Sequence, residues 1–214
     1  GFPISTAWYL TLYVVTLLIH VVFMNYVLAG STYLFLASPM GQRACSACVW
    51  QNVLKEWLPF ATGLAITAGV APLLFVQILY QREFYSSNLL LSHRWMAILP
   101  VLLVCFYLLY LLKTDWLADK GGLAKGVVRT GVFVGFAFIA WSWTENHLLS
   151  LDESAWSDMY ARGDLVYRSS LLPSRLAMWF LGAFPTLACA LMWQAEWTPG
   201  MPAAHEPAAV RRLG

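Results

Sequence analysis

Charge is what this sequence most lacks. Of its 214 residues only 11% are Asp, Glu, Lys or Arg while 60% are apolar, against roughly a quarter charged in an ordinary soluble domain. A freely soluble globular chain is therefore excluded. The net charge is only +2 and the cations are scattered between apolar blocks, so no basic surface exists to neutralise a phosphate backbone, which excludes nucleic acid as a partner. The first residues lack the basic start, short apolar core and small-residue cleavage site of a secretory signal. They read as a mature N-terminus from which an initiator Met has been removed. G-x-S-x-G, H-E-x-x-H and a carboxylate pair placed to activate water are all missing, so nothing supports hydrolytic chemistry.

Cysteine is also scarce. Cys105 and Cys189 sit inside apolar runs, and Cys45 with Cys48 forms a C-x-x-C pair. Val49 follows that pair where covalent haem attachment would need His, and no second pair completes a zinc site. The pair reads as an inert loop feature, with a redox or metal role as the alternative.

What the chain does have is long apolar runs. Crossing a hydrocarbon core takes roughly 20 mostly apolar residues, and five blocks meet that test: Ala7 to Leu36, Trp57 to Tyr80, Trp95 to Leu112, Gly126 to Thr144 and Leu176 to Ala195. The expected fold is an all-α membrane bundle of five spans over residues 1–197, followed by a flexible tail over 198–214. Trp8, Trp57, Tyr80, Trp95, Trp143, Trp179 and Trp193 lie near span ends, where amphipathic rings prefer to sit. Arg129 lies near one end of the fourth block, where its long side chain can snorkel. Pro185 predicts a kink in the fifth. The second block is small on several faces, with Gly63, Ala65, Thr67, Ala68, Gly69 and Ala71, and Gly131 with Gly135 forms a small-x3-small pair on the fourth. Those helices should pack closely against protein.

Basic residues in the connections predict the orientation. With the N-terminus outside, eight cations fall inside (Arg43, Lys55, Lys113, Lys120, Lys125, Arg129, Arg211, Arg212) and five outside (Arg82, Arg94, Arg162, Arg168, Arg175). The positive-inside rule thus favours N-terminus outside and C-terminus inside. The connection 145–175 is then an outer loop, acidic and Trp-bearing, in which Ala155 to Tyr167 can form a short amphipathic helix on the membrane surface.

An ionisable residue deep in a span is costly and marks a functional hypothesis. His20 is the one that qualifies: it lies mid-way along the first span, with Thr16, Met24 and Val27 on its face. Its imidazole needs a metal, for which haem iron is the common choice, or a carbonyl or hydroxyl on another helix. The residues alone leave both open. His93 enters the third span and His147 leaves the fourth at the same predicted membrane face, so the two are weaker candidate haem ligands that could meet at one depth. His205 lies in the tail and carries little weight. No Asp or Glu falls inside the five blocks and no internal repeat is evident, which argues against an ion pump or transporter.

The segment His20-Val-Val-Phe23 followed by Leu28-Ala-Gly30 resembles the opening helix of the larger subunit of cytochrome bd quinol oxidases. Thr67-Ala-Gly69, Phe75-Val-Gln77 and Tyr85-Ser86 are similar to that family's T-G, F-Q and Y-S elements, although the Thr-Gly element needs a shift. The likeness spans about the first hundred residues. It implies that His20 is an axial ligand of a b-type haem and that the N-terminus lies outside. The chain departs from the family in having no carboxylate in the third block, no recognisable quinol-binding loop, no later haem-ligating His and Met helices and too few spans. Quinol oxidation coupled to oxygen reduction is therefore not implied.

The expected function is a membrane-embedded subunit of an electron-transfer complex, in a bacterial inner membrane beside other membrane subunits. It would hold b-type haem through His20, with His93 or His147 as further ligands, and carry electrons without being an oxidase in its own right. Its outer loop could dock a c-type cytochrome. The alternative is a cofactor-free accessory subunit of a respiratory or photosynthetic assembly. A quinone site without haem would rest on Gln77, Tyr80 and Tyr85.

Overall fold

The structure is a computed structural model that describes residues 5–37 and 45–197, the side chains of 45–49 and 118 excepted. Among these residues the only regular elements are helices: α1 (Thr6–Leu36), α2 (Cys45–Leu79), α3 (Gln81–Met96), α4 (Ile98–Leu111), α5 (Asp115–Ala118), α6 (Gly122–Ser150), α7 (Ser154–Arg162) and α8 (Leu172–Trp197). Five helical stretches are long and apolar enough to cross a membrane: α1, residues Trp50–Leu79 of α2, α3 continued by α4, α6, and α8. The expected all-α architecture is present, with five helical stretches of the length and apolarity that spans require. The Cys45 and Cys48 side chains, the tail and His205 lie outside the described residues.

The antiparallel helices α1 and α2 form one closely packed pair, and α1 also lies against α6 and α8. On the other side α6 packs against α4 and α3, and α7 folds back onto α3. The main core is concentrated where α1 ends and α2 begins. There Tyr26, Val27, Leu28, Ala29 and Leu34 of α1 meet Leu54 and Leu58 of α2. Gly30 lets these helices approach, since a Cβ there would stand 3.0 Å from Leu58 Cδ2. The opposite half of α1 is open, with Trp8, Leu18 and Val22 more than half exposed. A smaller cluster of Leu91, Leu149 and Met159 holds α3, α6 and α7 together at the far end, called here the α7 end.

The small-residue pair on the fourth span does what its spacing predicts. A Cβ on Gly135 would overlap Cys105 Sγ, and one on Gly131 would fall 3.1 Å from Leu108 Cδ1. Both glycines therefore receive α4. Pro59 and Pro72 lie within α2 and Pro185 within α8. The helix expected between Ala155 and Tyr167 forms as the shorter α7. It stops at Gly163, whose φ of 66° is the left-handed conformation that glycine adopts without strain.

The helices extend beyond several of the expected span boundaries, starting earlier at Cys45, Gln81, Gly122 and Leu172, and one contact bears on two of the differences. The third span was expected to begin after Arg94 and the fourth to end before Glu145, yet α3 runs through Arg94 and α6 continues to Ser150. The Arg94 guanidinium contacts the Glu145 carboxylate, and the Glu145 side chain is fully buried. Neither charge ends its helix because each neutralises the other. The connection 145–175 is thus helical at its start, and a carboxylate does lie within a spanning helix.

Replacing Gly135 with Ala should destabilise the bundle by about 1–3 kcal/mol through overpacking against α4, more than the up to about 1 kcal/mol gained in helix propensity. Adding Cys105→Ala should recover most of the loss in thermal unfolding of the detergent-solubilised protein. Additive effects of the two changes would contradict the close contact.

Candidate functional site

His20 projects from α1 toward α2. Its Nδ1 lies 2.9 Å from the backbone oxygen of Ala65. A carbonyl oxygen can only accept, so Nδ1 carries the proton and donates it. The ring lies against Gly69, where a Cβ would be 2.9 Å from Cε1 and 3.0 Å from Nδ1. Among the described residues Nε2 has no hydrogen-bond partner. The neutral ring therefore keeps a bare lone pair on Nε2, half-way along a spanning helix. Thr16 does not reach the ring, because its hydroxyl donates to carbonyl oxygens of its own helix, Leu12 at 2.8 Å and Tyr13 at 3.1 Å.

His93 and His147 do not join this site. Both are exposed and lie at the α7 end, well removed along the helices from His20. His93 follows Ser92, the one described non-glycine residue with positive φ, 46°, where α3 is kinked. Its Nδ1 is 3.2 Å from Ser92 Oγ. His147 stands beside Asn146 on α6, but it is Asn146 that turns to α3 and donates to Asn88 at 2.7 Å. The described residues contain no cluster of three or more His, Cys, Asp or Glu that could hold a metal ion. Of the residues considered for a quinone site, Gln77 accepts a long bond of 3.4 Å from the Tyr85 hydroxyl, an internal link between α2 and α3.

The feature that sequence reasoning missed is the polar layer around Glu145. One carboxylate oxygen accepts the Tyr167 amide at 2.5 Å and the other meets the Arg94 guanidinium. The Arg94 group also lies over the Trp141 ring, 4.3 Å from its centroid. Nε and Nη1 of Arg94 have no hydrogen-bond partner among the described residues, so stacking on the ring supplies part of the compensation. Trp95 packs edge-on against Trp143 and Phe84 and closes the layer. A signal was present in the sequence: an acid placed directly after a Trp-Ser-Trp-Thr run, with an Arg just before Trp95 on the neighbouring span.

Beyond the spans, the segment after α7 returns across the bundle and is pinned through Tyr167. Its hydroxyl donates to Asp152 at 2.7 Å, and the Ser154 hydroxyl donates to the same carboxylate at 2.5 Å. These bonds, the one from Ser154 first, hold the Asp152 carboxyl below its ordinary value. Trp156 Nε1 donates to the Leu149 carbonyl at 2.8 Å and fixes α7 to the end of α6. Arg82 pairs with Glu153 at 2.7 Å in an exposed bridge.

In comparisons with known proteins, no family model, curated protein or solved structure matches the chain.

Breaking the buried pair with Glu145→Ala should cost about 3–5 kcal/mol, because Arg94 is left charged and uncompensated, whereas Arg82→Ala at the exposed bridge should cost about 0–1 kcal/mol. Denaturation of the two variants side by side checks this, and equal losses would contradict it. Asp152 adds a pH dependence. Its folded pKa is depressed, so its contribution is complete above the unfolded value of about 4 and is lost as the pH falls through the folded value. Hydrogen exchange over residues 163–170 should accelerate on acidification in that window, and Asp152→Asn should weaken the dependence. An identical acid response in that variant would exclude Asp152 as a source.

Proposed function

We propose that the chain is a membrane-embedded subunit of an electron-transfer complex and holds a b-type haem through His20. The observation that carries this reading is the state of the ring: Nδ1 is committed to the Ala65 carbonyl while Nε2 has no partner among the described residues. Metal-bound histidines use the same division, one nitrogen bonded to a carbonyl or carboxylate and the other to the metal. A bare imidazole nitrogen in hydrocarbon is otherwise an uncompensated polar group.

Of the residues present, His20 would hold such a group. His20 would supply the donor atom through Nε2, and the Ala65 carbonyl fixes which nitrogen faces outward. His93 and His147 lie at the α7 end and would not hold the same group. When bound, the haem supplies a one-electron couple whose potential depends on ligand identity and burial. The resemblance of His20, Thr67-Ala-Gly69, Gln77 and Tyr85-Ser86 to the larger subunit of cytochrome bd oxidases supports the same assignment for His20. It brings no oxygen-reducing chemistry, since α4 contains no carboxylate.

The excess of cations in the connections at the other end orients the N-terminus and α7 outward, in a bacterial inner membrane. The α7 end is then the face available to a soluble c-type cytochrome. The competing reading is a cofactor-free accessory subunit. The existing Nδ1 bond favours it, because that bond already satisfies the donor of a neutral ring.

A reduced-minus-oxidised spectrum of the purified complex should show a b-type band. The His20→Ala variant should lose it with the helices still inserted, since Ala is apolar and a good helix former. A wild-type complex without that band, or a band untouched by the substitution, would leave the accessory reading in its place.

A further inference from the structure

We infer that Gly69 and the Ala65 carbonyl form a cradle that selects the tautomer of His20, which makes Gly69 a positioning residue for the centre bound at Nε2; the part concerning that centre rests on the reading of His20 as an axial ligand.

The geometry of a helix ties the two α2 positions together. A helical carbonyl points along the axis toward the residue four positions on, whose N–H it accepts. Its second lone pair remains available to a donor from outside. A ring donating to the Ala65 oxygen must therefore lie over position 69, and His20 does so with its Nδ1 2.9 Å from that oxygen. At position 69 a Cβ would meet Cε1 at 2.9 Å, Nδ1 at 3.0 Å and Nε2 at 3.7 Å. All three atoms belong to one rigid ring, so no flexible end can move aside. The ring must shift or turn to make room, which lengthens or breaks its bond to Ala65.

Gly69 is not explained by close approach of helix backbones, because the three atoms nearest its missing Cβ are all from the His20 ring. Nor is it explained by helix formation, since an interior glycine costs about 1 kcal/mol relative to Ala. Gly63, on the same helix, has nothing within 4 Å of the equivalent point. Space at position 69 is thus matched to the imidazole, and the matched orientation leaves Nε2 as the bare nitrogen. Donation from Nδ1–H also enriches the ring in electron density and makes Nε2 a stronger donor.

The test uses ring-15N-labelled histidine in the intact protein in bilayers, with the His20 signal identified by its loss in His20→Ala. Haem-free wild type should show a protonated Nδ1 and a bare Nε2. Gly69→Ala should shift the signal toward the other tautomer or a mixture, and Gly63→Ala should match wild type. A wild-type ring protonated on Nε2, or a Gly69→Ala ring unchanged, would overturn the cradle. In the purified complex, Gly69→Ala should loosen haem by about 10-fold or more and raise its midpoint potential, again with Gly63→Ala unchanged. If His20→Ala removes haem but Gly69→Ala keeps wild-type occupancy and potential, the positioning role is wrong and the ligand assignment stands. If wild type binds no haem, the ligand assignment fails, and the tautomer measurement still decides the cradle. Helicity and yield of Gly69→Ala show whether the variant folds; should it not, the wild-type tautomer alone decides.

Discussion

The contact between Arg94 and Glu145 organises the α7 end of this bundle. A buried carboxylate or guanidinium alone in apolar surroundings would cost several kcal/mol. Here the carboxylate is met on one side by the guanidinium and on the other by the Tyr167 amide, and the cation is laid flat on Trp141. Three pieces of chain are joined by this arrangement: α3, α6 and the segment returning after α7. It also allows two helices to carry charge past the points where charge would ordinarily stop them. The kink at Ser92 lies just ahead of Arg94 in the same helix, where it re-aims the chain before the buried cation.

Much of the fold could be read from hydropathy alone, for a physical reason. Hydrocarbon leaves the backbone no partner outside its own helix, so a long apolar run has one regular solution. The five spans, the glycines receiving α4 and the short surface helix all follow from local pattern. The misplaced boundaries have the opposite character. Arg94 and Glu145 lie far apart in sequence, and each looks like a terminus until the other is seen beside it. Periodicity carries no information about such a pairing. The same holds at His20: its depth in the membrane was legible, but the Ala65 carbonyl and the flat surface of Gly69 that receive it were not. The expectation that His93 and His147 share a depth relied on both being near span ends, and both do lie at the α7 end. Membrane depth does not determine the face of a helix, and their side chains are exposed.

The two polar provisions within the spans are finished to different degrees. Glu145 is wholly enclosed, with a partner for each oxygen, and reads as architecture. His20 is half-buried and supplied on one nitrogen only. A closed polar group holds a fold in place, and an open one directs chemistry outward. This contrast sets the mid-span histidine, and not the more heavily bonded ion pair, at the centre of the functional reading.

The lopsided core has a mechanical consequence. Helices α1 and α2 are fastened tightly where Gly30 meets Leu54 and Leu58, while the outer part of α1 carries few buried residues. Toward the other end the same two helices are joined through the His20 bond to the Ala65 carbonyl and the edge-on contact of Tyr9 with Phe75, so a change at either place would loosen the outer half and leave the fastened end intact.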